Sequence, residues 1–178
     1  MNLLRRALLL AGVGGLATTA GYFAHRWRRA GAALPGVGGD ILRGRYVDLD
    51  GSPRTLESLA GKILVINYWA TWCEPCRKEI PVFVRLQQEY AAKNVQFVGI
   101  AIDQADKVRE FAKEFGINYP LVIAGVEALD AARRAGNKAG VLPYTVVLDP
   151  SAEVAANLVG ELSEDRMRAA LLPLLNQS

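Results

Sequence analysis

The sequence predicts one α/β domain of βαβ type, closed by a strand hairpin and a last helix and preceded by one N-terminal membrane helix. Three observations carry that prediction. Lys62 to Tyr68 is a nearly continuous apolar run, followed by a helix-spaced stretch and then a second apolar run, Val95 to Ile102. Runs of this kind are strands covered on both faces. Two later runs, Thr145 to Leu148 and Val154 to Leu158, are joined at Asp149-Pro150-Ser151, a connection short enough to imply antiparallel pairing. The chain has 178 residues, 51% of them hydrophobic and 22% charged, which suffices for one substantial core.

Taken in order, the elements begin with the uncharged stretch Ala7 to Ala24, between Arg5-Arg6 and Arg26, Arg28 and Arg29. At the helical rise it reaches roughly 27 Å, marginally enough to cross a hydrocarbon core. Residues 1–29 are therefore read as a signal anchor, with a cleaved export signal as the competing reading, because four glycines and two threonines weaken the span. Arginines on both sides leave its orientation open. Residues 30–39, small and uncharged, read as a flexible linker, and residues 40–178 as the domain. Asp50-Gly51 predicts a hairpin within Tyr46 to Thr55. Ile80, Phe83, Leu86 and Tyr90 recur at helical spacing, which predicts a helix over about Cys73 to Ala92. An amphipathic helix around Asp106 to Phe115, a short strand at Pro120 to Ile123 and a short helix at Val126 to Ala135 follow. Ser163 is placed to cap a last helix whose first turn carries Glu164 and Asp165.

Charge and residue counts exclude several function classes. Five basic residues and no acidic ones precede Asp40, whereas from Asp40 onward sixteen basic face eighteen acidic. The basic surplus lies off the folded body, which disfavours a nucleic-acid partner. The one histidine is His25 and the cysteines are Cys73 and Cys76. These cannot furnish a four-ligand zinc site, nor place an imidazole beside a nucleophile for Ser-His-Asp or Cys-His catalysis. No metal or cofactor is expected.

What remains is Trp69-Ala70-Thr71-Trp72-Cys73-Glu74-Pro75-Cys76, after a strand and opening a helix. A helix N-terminus favours a thiolate, so Cys73 is the expected nucleophile. Cys76, one turn on, is the expected resolving thiol. Pro75 suits an early helical position, where its missing N–H would have no partner. A purely structural disulfide would close a tiny loop and constrain little of the unfolded chain. One of Trp69 and Trp72 is expected in the core and the other beside the thiol.

These residues resemble the thioredoxin superfamily, and more closely its bacterial membrane-tethered branch of TlpA- and ResA-like thiol-disulfide oxidoreductases. The resemblance runs from about Asp40 to Leu175. It rests on Gly61-Lys62 leading into Asn67 through Cys76, on Glu79-Ile80-Pro81, on Gly99 through Asp103, and on Leu142-Pro143-Tyr144-Thr145 before Val146 through Asp149. It implies a thioredoxin-like fold with an N-terminal β-hairpin extension and an inserted strand and helix between Asp103 and Pro143. It further implies that Pro143 is a cis-proline facing the cysteines, with the backbone of Leu142 presented to an extended substrate. Trp72, Glu74 and Pro75 would form the opposite side of that substrate site. Where relatives commonly carry glycine two residues before this proline and threonine after it, this chain has Val141 and Tyr144, which alters the rim.

Thioredoxin's buried aspartate, six residues before its first cysteine, is replaced here by Asn67, which cannot take a proton. Glu79 matches the active-site glutamate of ResA-like proteins and is the candidate proton acceptor for Cys76. Pro81 is expected to kink the helix. An anionic Glu74 beside Cys73 opposes thiolate formation, and a less stabilised thiolate makes the dithiol the better reductant. The expected activity is reduction of disulfides in exported clients, apocytochrome c being one candidate. The resemblance implies electrons from a membrane thiol reductant of DsbD or CcdA type and a catalytic domain in the periplasm, anchored in the inner membrane or released as a cleaved form. Three other readings have distinct signatures. A peroxiredoxin-like site needs a threonine where Ala70 stands. A copper chaperone of Sco type uses three residues between its cysteines and a distal histidine, and cuprous titration would reveal it. A non-catalytic binding module would keep its function in a Cys73→Ser variant.

Overall fold

The computed structural model describes residues 36–176. The expected anchor, and residues 30–35 of the linker, lie outside the described residues. Among the described residues no helix is long and apolar enough to cross a membrane.

The elements run α1 (Gly36–Leu42), β1 (Tyr46–Val47), β2 (Pro53–Arg54), β3 (Ile63–Trp69), α2 (Glu74–Tyr90), β4 (Val95–Ala101), α3 (Ala105–Glu114), β5 (Leu121–Ile123), α4 (Ala128–Arg134), β6 (Tyr144–Leu148), β7 (Val154–Val159) and α5 (Glu164–Leu175). The strands form one sheet in the order β2-β1-β5-β4-β3-β6-β7. β3 pairs parallel with β4 and antiparallel with β6, and β6 pairs antiparallel with β7. The expected hairpin is β1–β2, Tyr46 opposite Arg54, and its β1 joins the edge of β5. The stretch read as an inserted strand and helix holds α3, β5 and α4.

All seven residues of β3 are buried, which explains why the strand reads as an unbroken apolar run. Its side chains still divide by the two-residue period of a strand. Leu64, Ile66 and Tyr68 pack with Ile41 and Leu42 of α1 and Ala132 of α4. Ile63 and Val65 pack on the other face with Phe83 and Leu86 of α2 and Met167 and Leu171 of α5. Losing a side chain such as Phe83 to alanine from a core of this kind costs about 3–5 kcal/mol. Ser163 caps α5 as expected, its hydroxyl accepting from the Arg166 N–H at 3.3 Å.

One expectation needs correction. Residues 36–39, read as the end of a flexible linker, belong to α1, with Gly38 and Gly39 buried. The reason is close packing: a Cβ on Gly38 would lie 2.0 Å from the carbonyl oxygen of Ala152. Glycine here admits the helix to the sheet instead of loosening the chain. The same layered frame brings the end of β3, the start of α2 and the segment before β6 to one side of the sheet, where the cysteines lie.

Candidate active site

β3 ends at Trp69, and after a tight turn Cys73 stands as the N-cap of α2, in extended conformation with Pro75 in the first helical turn. Cys73 and Cys76 form a disulfide. They are not equivalent: Cys73 keeps 6% of its surface exposed and Cys76 none. An incoming sulfur can therefore approach Cys73 while Cys76 stays covered, an asymmetry built by the helix turn that separates them.

The turn before Cys73 is held from the end of β4. Asp103 accepts the Thr71 N–H at 2.9 Å and the Thr71 hydroxyl at 2.5 Å through one carboxylate oxygen, and the Gln104 N–H at 2.8 Å through the other. Partial burial works against ionisation, but these three donors outweigh it and hold the carboxyl below its ordinary range. The two tryptophans separate as expected. Trp69 is buried against Phe111, ring centroids 5.1 Å apart, and a Cβ on Gly99 would come within 2.8 Å of its indole nitrogen. Trp72 is 68% exposed. Arg77 lies over the stacked rings of Phe111 and Phe115, at 5.1 and 5.4 Å.

The Leu142–Pro143 peptide bond is cis. An open groove of about 550 Å³ runs between Trp72, Cys73, Glu74 and Pro75 on one side and Val141 and Leu142 on the other, with Ile102, Val126 and Leu129 completing its wall. Six of the residues singled out in the sequence, Trp72, Cys73, Glu74, Pro75, Val141 and Leu142, thus meet on one surface. Pro143 is buried next to that rim and does not line it. The contributions of Ile102, Val126 and Leu129 were not foreseen, since an apolar residue in a loop carries no sequence signal until its exposure is known.

Glu79 lies below the surface, fully buried. Its carboxylate accepts from Asn67 Nδ2 at 2.8 Å and from the Leu162 N–H at 2.9 Å, and Asn67 Nδ2 also reaches the Thr145 hydroxyl oxygen at 3.0 Å. Burial pushes the carboxyl up to about 8, although both donors oppose the rise. Tyr119 feels the same carboxylate: burial first, then the Glu79 charge, raises its phenol. A solvated helix-face glutamate would have none of these features. Asn67, which cannot titrate itself, is the group that orients Glu79.

Residues 37–158 match the AhpC/TSA family. Among curated relatives, the thiol-disulfide oxidoreductase ResA of Bacillus thuringiensis (strain Al Hakam) is 28% identical over 167 residues, 92% of this chain and 90% of that one. A solved thiol:disulfide interchange protein of the thioredoxin family from Chlorobium tepidum TLS superposes with a TM-score of 0.65 at 35% identity, covering 74% of this chain and 92% of that one. A secreted thiol-disulfide isomerase from Corynebacterium glutamicum gives a TM-score of 0.67 at 26% identity, covering 76% and 85%. The chain belongs to the AhpC/TSA family and is a thioredoxin-fold thiol-disulfide oxidoreductase.

Proposed function

We propose that this enzyme reduces disulfides in exported, cysteine-bearing client proteins. In the dithiol form the Cys73 thiolate attacks one sulfur of a client disulfide, a mixed disulfide forms, and the departing client thiolate takes a proton. Cys76 then gives its proton to Glu79 and attacks the Cys73 sulfur. The second client sulfur leaves as a thiolate and takes up a proton, Glu79 gives up the one it accepted so that the proton count balances, and the enzyme is left with the Cys73–Cys76 disulfide. Two electrons pass to the client in each turn, and a membrane dithiol of DsbD or CcdA type restores them. Leu142, set by its cis bond to the buried Pro143, holds the client as an extended segment across the groove, with Trp72, Glu74 and Pro75 opposite.

The observation that carries this reading is the unequal burial of the two sulfurs, with a buried acid three residues beyond Cys76 on the same helix that can hold or release a proton near neutral pH. Placement outside the cytoplasm is supported by the apolar segment within residues 1–29 and by the relative described as secreted. Apocytochrome c is one client that fits the likeness to ResA.

The decisive experiment is the reduction potential of the full chain, equilibrated against glutathione or dithiothreitol buffers. A value below roughly −230 mV supports a dedicated reductase, and a value above roughly −150 mV makes the protein a disulfide-forming oxidant instead. The full chain is required because truncation at residue 40 would cut α1, whose Ile41 and Leu42 belong to the core.

A further inference from the structure

We propose that Asn137 is a positioning residue for client binding, clamping Val141 so that the backbone of the adjoining Leu142 is held ready to pair with an extended client. The proposal rests on the thiol-disulfide exchange reading above and assigns the part of the molecule that sets the client's register.

Asn137 follows α4 and is 1% exposed. Its side chain closes a ring on one residue: Nδ2 donates to the Val141 carbonyl at 2.9 Å, and Oδ1 accepts the Val141 N–H at 3.1 Å. Its backbone is fixed as well, the N–H donating to Ala132 and the carbonyl accepting from Gly140, both at 2.9 Å. Each polar group of Asn137 thus joins the rim of the groove to the end of α4. A buried amide with every partner satisfied holds one arrangement, because any other leaves polar groups unpaired.

The consequence appears when the rim is followed residue by residue. Val141 has both backbone groups occupied by Asn137. Pro143 has no N–H, and its carbonyl accepts from Gly160 at 3.0 Å. Tyr144 is already paired on both sides within the sheet. Among the described residues, the N–H and C=O of Leu142 alone in this stretch have no hydrogen-bond partner. An extended chain laid across the groove therefore finds one donor and one acceptor, adjacent and fixed, which is the unit of strand addition. The clamp also holds the Val141 side chain, 41% exposed, on the apolar wall opposite Trp72. Without it, Val141 would offer a competing donor and acceptor one residue away. That shift reverses which face of a bound strand meets the groove.

The test compares two substrates of the full-length enzyme: a synthetic peptide with an internal disulfide whose cysteines are flanked by leucine and valine, and hydroxyethyl disulfide, too small to use the rim. Asn137→Ala is expected to raise KM for the peptide about tenfold with kcat within about twofold, and to leave hydroxyethyl disulfide reduction and the reduction potential unchanged. Asn137→Asp sets a carboxylate oxygen against the Val141 carbonyl and is expected to give the same split, so it decides the matter if the alanine variant does not fold. An unchanged peptide KM in a folded variant, or an equal loss on both substrates, overturns the assignment and leaves Asn137 a structural residue of the loop. A wild-type enzyme that reduces hydroxyethyl disulfide but not the peptide overturns the client reading itself, and this assignment with it.

Discussion

Two glutamates five residues apart on α2 have opposite surroundings. Glu74, next to Cys73, has a side chain 80% exposed and pairs with Lys78 at 3.2 Å. Glu79 is fully buried, bonded to Asn67 and Leu162, with the charged groups of Glu161 and Arg166 acting on it from a distance. Nearness in sequence to the reactive sulfur therefore does not measure chemical influence; helical phase does. The charge of Glu74 is screened by water and offset by a lysine, whereas two donors and the more distant Arg166 favour ionisation of Glu79 and burial outweighs them. Glu74 is therefore a weak influence on the Cys73 thiolate, and in the proposed mechanism the buried acid is the stronger one.

That contrast can be broken most directly through stability. Glu79 titrates near 4.5 in an unfolded chain and near 8 in the fold, so between those values the native state binds more protons than the unfolded state. Its contribution to stability is full below about pH 4.5, is lost as pH rises towards 8, and is constant above. The total loss is on the order of 5 kcal/mol. Urea unfolding at pH 5 and pH 8 should show this fall in the wild type and a much flatter profile in Glu79→Gln, with Glu74→Gln indistinguishable from wild type.

The second effect concerns rate. Glu79→Gln should slow resolution of the Cys73 mixed disulfide by about 100-fold and remove the inflection near pH 8 from its pH profile. Stopped-flow release of the client thiol measures this. A Glu79→Gln enzyme retaining wild-type resolution would remove Glu79 from the mechanism. Smaller still is the change at Asn67. Its hydrogen bond favours the ionised carboxylate, so Asn67→Ala should move the same inflection upward, by up to about one pH unit. Least of all, Glu74→Gln should shift the reduction potential by less than about 15 mV. A larger shift would show that Glu74 tunes the Cys73 thiolate despite its exposure.

The central βαβ unit and the closing hairpin were legible because their signals are local. β3 reads as an apolar run since both its faces are covered, Asp50-Gly51 marks one turn, and Ser163 announces the last helix. The cysteine pair and its strand-to-helix setting were equally plain. What escaped notice depends on partners far along the chain. The helix at residues 36–42 exists where Gly38 meets Ala152. Thr71 is held by Asp103, thirty-two residues away, and Glu79 by Leu162, eighty-three residues away. Glu79 could be nominated from its place after Cys76, but its buried state could not, because a glutamate at that spacing is compatible with either side of a helix. Asn137, between Gly136 and Gly140, carries no distinguishing signal in the sequence, and only its bonds to Val141 mark it out.

The outermost strand on the hairpin side consists of Pro53 and Arg54, both exposed. A proline cannot donate to a further strand, a guanidinium resists being sandwiched, and two residues offer too little backbone for a lasting register. This border of the sheet is closed to self-association. Under the proposed function, clients whose disulfides are not yet settled would bring unpaired strands and bare apolar surface to the protein. With this edge blunted, such chains would find no template for strand addition on the hairpin side of the sheet.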